Sequence, residues 1–279
     1  MSALLLQLTD LHILPAGELA YGQIDTAGLL QQTLRAVAAL ERRPDAAVLT
    51  GDLVDNGSAA AYAQLRTLLA PLDMPLYLLP GNHDDRQQLH QAFPEAAPLN
   101  ADGFVQYTAD IGGLRLIVLD TLVPEASHGA LCPRRLSWLS DALEDCRDRP
   151  VVIAMHHPPF TTGIDHMDKI GLLEGVSELD ALLRRHPQVQ RLLCGHMHRP
   201  IQCLFGGTLA CTLPSTAHQL ALDLPDDAPA QWTMEPPGFG LHLLDDQGLM
   251  VSHLGTSTPF AGPFPFGTDS TQLLAQATV

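Results

Sequence analysis

Positive charge is scarce in this chain. Its 279 residues carry 15 Lys and Arg against 31 Asp and Glu, a formal net charge of -16. Such a field repels nucleic acid and anionic membrane surfaces, which argues against a polyanion as the main partner. Aromatic residues are few, at 5%, and charged residues of both signs reach only 16%. Apolar residues nevertheless make up 46%, enough for a large core and incompatible with intrinsic disorder. Cysteine is sparse and odd in number: Cys132, Cys146, Cys194, Cys203 and Cys211 include no CxxC spacing. Reduced thiols in a cytoplasmic chain are the simplest expectation. Long hydrophobic runs are missing too. The longest near the start, Ala3–Leu8, has no basic residue before it and soon meets Asp10. It is too short and wrongly flanked for a signal peptide or a membrane span.

What the chain does contain is a regular alternation. Short apolar runs at Ala3–Leu8, Ala46–Leu49, Leu76–Leu79, Leu114–Leu119, Val151–Met155 and Arg191–Cys194 read as buried strands bounded by turn residues. Between them, Thr26–Arg43 has helical spacing with Pro44 beyond it, and Ser58 caps a predicted helix to about Leu69. Pro133–Cys146 and Val176–His186 fit two more helices. Strands alternating with helices predict an α/β sheet with covered faces. After Pro200 the pattern becomes β-rich: Ile201–Phe205, Thr208–Leu213, His218–Leu222, Gly240–Leu244 and Gly248–His253, interrupted by the Asp- and Pro-rich loop Pro225–Pro237. The stretch Thr256–Gly267, rich in Pro and Phe, reads as an ordered arm or linker, not a helix. No internal repeat is evident, and the expectation is one domain: residues 1–200, with an irregular β-rich C-terminal extension over residues 201–279.

Chemistry collects where the strands end. Asp10-Leu-His12, Gly51-Asp52-Leu-Val-Asp55, Gly81-Asn82-His83-Asp84, His156-His157-Pro-Pro and Gly195-His196-Met-His198 each follow a predicted strand. In open α/β sheets ligands bind at the carboxyl ends of strands, so these groups are placed to converge on one crevice. Carboxylate, imidazole and carboxamide without thiolate suit Mn, Fe, Co or Zn in a catalytic site. On extended segments, residues two apart point the same way, so Asp10 with His12, and His196 with His198, read as chelating pairs. Taken singly, each motif is also compatible with a turn or a packed core histidine; their joint occurrence in this order is not readily so explained.

That series resembles the calcineurin-like metallophosphoesterases over about residues 1–200. Gly-Asn-His-Asp-Asp-Arg and His-His-Pro-Pro look closest to the class III cyclic nucleotide phosphodiesterases and the glycerophosphodiesterases. Leu19–Asp25, Thr212–Gln219 and Ala261–Pro263 extend the likeness to the latter branch more softly. The resemblance implies an α/β fold, a four-layer α/β/β/α sandwich with a β-rich C-terminal extension, and two first-row metal ions. One ion would take Asp10, His12, Asp52 and His198; the other would take Asp52, Asn82, His156 and His196. Asp52 would then bridge both ions, together with a water or hydroxide. His83 matches a non-ligand catalytic histidine beside the leaving group, and Asn82, His83 and His218 face substrate. Asp55 would support the ligands from behind, and His157 reads as a supporting or structural residue in preference to a ligand.

The implied function is hydrolysis of small phosphodiesters, 3′,5′-cyclic nucleotides or glycerophosphodiesters. A phosphomonoesterase, or a scaffold that keeps metals without turnover, is the competing reading; a nuclease fits the charge poorly. His128, Asp165 and His166 are candidate pocket-edge residues, Arg199 a loop charge and Cys194 an apolar filler. The strands after Pro200 and the Pro-rich tail resemble additions through which relatives form dimers or higher oligomers.

Overall fold

Six apolar runs become strands because both faces of each are covered, so alternate side chains enter different apolar layers. The computed structural model describes residues 2–264. Strands β1 (Ala3–Leu8), β2 (Ala46–Thr50) and β3 (Leu76–Leu79) run parallel. Helices α1 (Thr26–Ala38), α2 (Ala59–Leu69) and α3 (Arg86–Ala92) belong to this half. In β1, Leu6 and Leu8 pack with Leu30, Tyr62 and Leu65 of α1 and α2, while Ala3 and Leu5 turn to the opposite side. There they meet the second sheet, which contains β4 (Tyr107–Ile111) and β5 (Leu114–Val118), the latter contributing Leu116 and Val118 to this inter-sheet layer.

The second sheet continues through β7 (Val151–Ala154) and β9 (Val189–Leu193), while β6 (Gly129–Ala130) and β8 (Leu172–Glu174) pair in a separate small parallel ladder. Its outer face packs Ile117, Ile153 and Leu192 against α4 (Pro133–Glu144) and α6 (Val176–Arg184), with the short α5 (Asp165–Asp168) between them in the chain. The remaining strands are β10 (Gln202–Phe205), β11 (Thr208–Cys211), β12 (Gln219–Leu220), β13 (Trp232–Thr233), β14 (Gly238–Leu244) and β15 (Met250–Thr256). The sheet orders are β15-β14-β1-β2-β3 and β10-β11-β9-β7-β5-β4, and β12 pairs with β13 in a separate hairpin. Helix, sheet, sheet and helix form the four layers.

Several expectations need correction. The first helix stops at Ala38, five residues short of the predicted Arg43, because the chain must leave its axis to enter β2 at Ala46. Helix α3 was missed: it is only seven residues long, and Asp85 caps it through Gln88 N–H. Strand β4 was missed because it is a half-exposed edge strand with Asp110 in it. Ser58 does cap α2, accepting from Ala61 N–H at 3.3 Å. The five cysteines are all free. The Pro-rich arm from Thr256 is described only to Phe264; the rest lies outside the described residues.

A buried polar seam joins the two sheets beneath the strand ends. Gln7 Nε2 donates to Thr50 Oγ1 of its own sheet and to the Cys194 carbonyl of the other, at 3.0 and 3.1 Å. Its Oε1 accepts from His242 Nε2 at 3.0 Å, and His242 Nδ1 accepts from Ser252 Oγ at 2.8 Å. Burial, and secondarily Arg191, lowers the His242 pKa to about 3, so the ring is neutral in this seam.

Candidate metal centre

The five motif loops meet where the parallel strands of both sheets end. The chelating pairs do not lie on extended backbone, as the sequence reading supposed. Asp10, His12, Asp52, His196 and His198 all have left-handed backbone, with φ of 52°, 47°, 47°, 71° and 47°. Only two other non-glycine described residues share it, Tyr21 and Glu125. Such conformations are costly for residues with a side chain and persist where the surroundings impose them. Here the imposed turn sends the intervening Leu11 and Met197 into apolar clusters while its neighbours face the crevice. Glycine is required at two points. Gly51 has φ 88°, and a Cβ there would stand 2.4 Å from His156 Nδ1; a Cβ on Gly81 would stand 2.2 Å from Asp52 Oδ1.

Asp10, His12, Asp52 and His198 present donor atoms within 4.8 Å of one another, all buried. Each ring nitrogen facing away from the cluster is engaged. His12 Nδ1 donates to Asp55 Oδ1 at 3.0 Å, and His198 Nδ1 donates to the His218 carbonyl at 2.8 Å. Donation from Nδ1 leaves both Nε2 atoms with lone pairs, and these face each other 3.1 Å apart. Two lone pairs at that separation repel unless a cation or proton lies between them. The same logic holds for His156. Its Nδ1 donates to the Thr50 carbonyl at 2.8 Å, so Nε2 turns toward Asn82 Oδ1 at 3.2 Å and Asp52 Oδ2 at 3.4 Å. His196 Nε2 is buried with no partner at all. The donor set therefore fits metal ions on its own chemistry.

Asp52 stands between the two groups. Its Oδ2 lies 3.7 Å from His12 Nε2 and 3.4 Å from His156 Nε2, while Oδ1 accepts from His83 N–H at 2.9 Å. Burial opposes its charge, but His156 and His83 outweigh this and hold its pKa well below the carboxylate range. Asp10 accepts the His196 N–H at 3.0 Å and Thr9 Oγ1 at 2.7 Å; burial raises its pKa to about 6 despite His156. Burial likewise takes His198 to about 3, with His12 adding to the shift.

For His156 burial works against protonation, yet Asp52 and Asp10 prevail and push the pKa up to about 9. A proton on Nε2 would compete with a metal ion for the same lone pair. Metal uptake should therefore expel a proton below that pH, and apparent affinity should rise up to about tenfold per pH unit as pH approaches 9. Calorimetric titration of metal-free protein in buffers of differing ionisation enthalpy counts the released protons; buffer-independent heats would contradict this competition.

The remaining candidates separate by position. His157 joins His156 and His196 in a buried group, but its Nδ1 accepts from Thr121 Oγ1 at 2.8 Å and its Nε2 donates to the Ser127 carbonyl at 3.2 Å. Both nitrogens are occupied, so it buttresses His156 and His196, whose rings it touches at 4.8 and 4.7 Å. His83 sits edge-on to His12 at 4.8 Å, with Nδ1 donating to the Asp55 carbonyl at 2.8 Å. His12, Asp55 and His83 form a third donor group, but the His12 proton already lies toward Asp55. His218 lies 5.4 Å from His12 and 4.8 Å from His198 by ring centroids. Arg199 is engaged by Glu235 at 3.0 Å and by the Leu220 carbonyl. Asp165 pairs with Lys169, and neither it, His128 nor His166 belongs to a donor group among the described residues. Cys194 is buried in the outer apolar layer.

Sequence reasoning gave no role to Asp84 or to Asp120. Buried Asp84 accepts from Gly81, Leu53 and Val54 N–H and from Tyr62 Oη, tying the Asp52 loop to the Asn82 loop. Asp120, also buried, grips Arg86 at 2.6 and 2.9 Å directly after the Asn82 motif. Asp84 is an unassigned member of the Gly81–Asp84 motif, and the one signal for Asp120 is its place directly after the predicted strand Leu114–Leu119.

A profile of the calcineurin-like phosphoesterases matches residues 3–200. The chain belongs to that family. Among curated calcineurin-like relatives, a probable glycerophosphodiester phosphodiesterase of Arcobacter nitrofigilis is 34% identical, covering 97% of this chain and 99% of its own. A probable cyclic nucleotide phosphodiesterase of Rhodopseudomonas palustris is 37% identical over 88% and 89% of the two chains. The fold is shared with a dimetal phosphatase from Danio rerio, with a TM-score of 0.67, 18% identity and coverage of 92% and 96%. No described helix of this calcineurin-like phosphoesterase is long and apolar enough to cross a membrane.

Proposed function

We propose that this calcineurin-like phosphoesterase is a metal-dependent hydrolase of small phosphodiesters: 3′,5′-cyclic nucleotides, glycerophosphodiesters or both. The observation that carries the reading is the pair of buried donor groups with Asp52 Oδ2 between them. Relatives over nearly the whole chain bear both substrate names. Asp10, His12, Asp52 and His198 would hold one ion, and Asp52, Asn82, His156 and His196 the other. Mn, Fe, Zn and Co all suit this oxygen and nitrogen set. When bound, two such ions lower the pKa of water and offset the phosphate charge for in-line displacement.

The chain's own residues then orient and exclude. Asp55 and the His218 carbonyl hold the His12 and His198 rings in one tautomer, and the Thr50 carbonyl does so for His156. Asn82 and His83, adjacent on the loop after β3, would face the diester from the Asp52 side. With Nδ1–H donated to the Asp55 carbonyl, His83 offers Nε2 to the leaving alkoxide, and as the doubly protonated imidazolium it would carry there the proton that the alkoxide takes. Small-molecule substrates suit the net charge of -16, since bound ions, not the protein's cations, would draw the phosphate. Self-association through the strands after Pro200 belongs to the same proposal: Leu204 and Leu254 are exposed on the edge strands β10 and β15.

Metal-loaded protein assayed with bis(p-nitrophenyl) phosphate and with p-nitrophenyl phosphate tests the reading. Faster turnover of the diester supports it. Preference for the monoester replaces it with a phosphomonoesterase, and turnover of neither leaves a metal-binding scaffold.

A further inference from the structure

An aromatic corner adjoins the candidate metal centre. Tyr21 and Trp232 are parallel, with ring centroids 5.7 Å apart and an interplanar angle of 8°. His218 meets both nearly at right angles, 82° to Tyr21 at 5.3 Å and 75° to Trp232 at 6.2 Å. The same imidazole lies within 5.4 Å of His12, so one ring links the corner to the proposed ligands. Neither Tyr21 nor Trp232 belongs to an apolar cluster of the core, and they are 64% and 36% exposed. Tyr21 is held at φ 51° in the tight turn closed by the Ala20–Ile24 bridge. A bulky residue takes that backbone only under constraint. His218 Nδ1, meanwhile, is buried without a hydrogen-bond partner.

Charge around the corner is one-sided. No Lys or Arg precedes Arg35, and none follows Arg199 to the end of the chain. The segments carrying Tyr21, His218 and Trp232 thus supply no cation, and Arg199 itself is paired with Glu235. Asp226 and Asp227 are exposed and Asp223 is half-buried on the segment leading to Trp232. An additional anionic group on a substrate would meet only Arg199 from the neighbouring loop, which holds the Leu220 carbonyl and is already neutralised by Glu235. A flat nucleobase would find two rings already stacked on each other and a third standing across them. A compact, methylated cation can touch perpendicular ring faces at once, which is the geometry that aromatic cages use for quaternary ammonium groups.

Resting on the phosphodiesterase reading above, we infer that Tyr21, Trp232 and His218 form a subsite for the alcohol arm of the substrate, and that it selects a quaternary ammonium of the choline type. A short ethyl spacer joins phosphate and ammonium in such an ester. The phosphate then lies at the metal centre while the ammonium lies against the corner.

The test compares kcat/KM of the metal-loaded full chain for glycerophosphocholine and for its uncharged carbon isostere, with 3′,5′-cyclic AMP as a third substrate. The choline ester should exceed the isostere by roughly 3- to 30-fold, the range that desolvated cation–π contacts provide. Trp232→Ala and Tyr21→Ala should each reduce that ratio toward unity, and Trp232→Phe should restore part of it, with metal content unchanged. Equal rates for the two esters in the unsubstituted protein overturn the inference. So does a Trp232→Ala loss confined to the cyclic nucleotide, which would assign the corner to a base. If no diester is turned over, the phosphodiesterase reading fails on its own. Fluorescence titration of the metal-loaded protein with choline then decides the subsite: quenching in Trp138→Phe that disappears when Trp232→Phe is added supports it, and no quenching overturns it.

Discussion

Asp52→Ala should empty both metal positions and lower diester turnover by roughly 10³-fold or more, the several kcal/mol of charge stabilisation that metal ions contribute to such reactions. Asp52 Oδ2 faces ring nitrogens of both buried groups, at 3.7 Å from His12 Nε2 and 3.4 Å from His156 Nε2. The other oxygen holds the His83 backbone N–H, so alanine also frees the loop after β3. Asp52→Asn separates these effects, because the amide oxygen can still accept that N–H while the negative charge is gone. Asn82→Ala should weaken mainly the position shared with His156, whose Nε2 it faces at 3.2 Å. Elemental analysis after gel filtration, with thermal melting as a folding control, reads these outcomes. Two ions retained per chain in Asp52→Ala would refute the bridging assignment.

His83→Ala should divide substrates by their leaving group. For an alkyl diester, loss of a proton donor costs ~10²–10⁴-fold in kcat. For bis(p-nitrophenyl) phosphate the loss should be much smaller, because nitrophenolate departs without help. The geometry supports a role outside the ligand set: the ring is partly exposed and its Nδ1 is tied to the Asp55 carbonyl at 2.8 Å. Both ions should stay bound in the variant. Equal losses on both substrates with metal intact would instead indicate that His83 orients the phosphate. Loss of one ion would make it a ligand.

The central strands were legible because they are largely buried on both faces and so appear as short, mostly apolar runs, interrupted only by single polar residues such as Gln7 and Arg115 or by the Gln190–Arg191 pair. Edge strand β4 escaped for the opposite reason: its Thr108 and Asp110 are exposed, and Ile111 alone is buried. Helix α3 owes its place to the Asp85 cap and to Leu89, its one buried residue, rather than to any apolar stripe. Donor types at strand ends were equally legible, since each motif is contiguous. Their presentation was not. Alternation along an extended segment and a pair of left-handed residues both turn Asp10 and His12 the same way; the structure uses the latter, with Leu11 between them in the core.

By itself, then, the sequence determined that there would be an acidic α/β protein whose strand ends carry carboxylates, imidazoles and an amide in a metal-binding combination. Burial pattern and residue type are local properties, readable a few positions at a time. Only the tertiary structure decided which nitrogen of each histidine is free, because that depends on acceptors far away in the chain: Asp55 for His12, Thr50 for His156 and the His218 carbonyl for His198. It also decided that His157, next to His156, has both nitrogens occupied. And it brought Tyr21 against Trp232, from opposite ends of the sequence, because β1 pairs with β14 and so draws the C-terminal strands to the N-terminal loop.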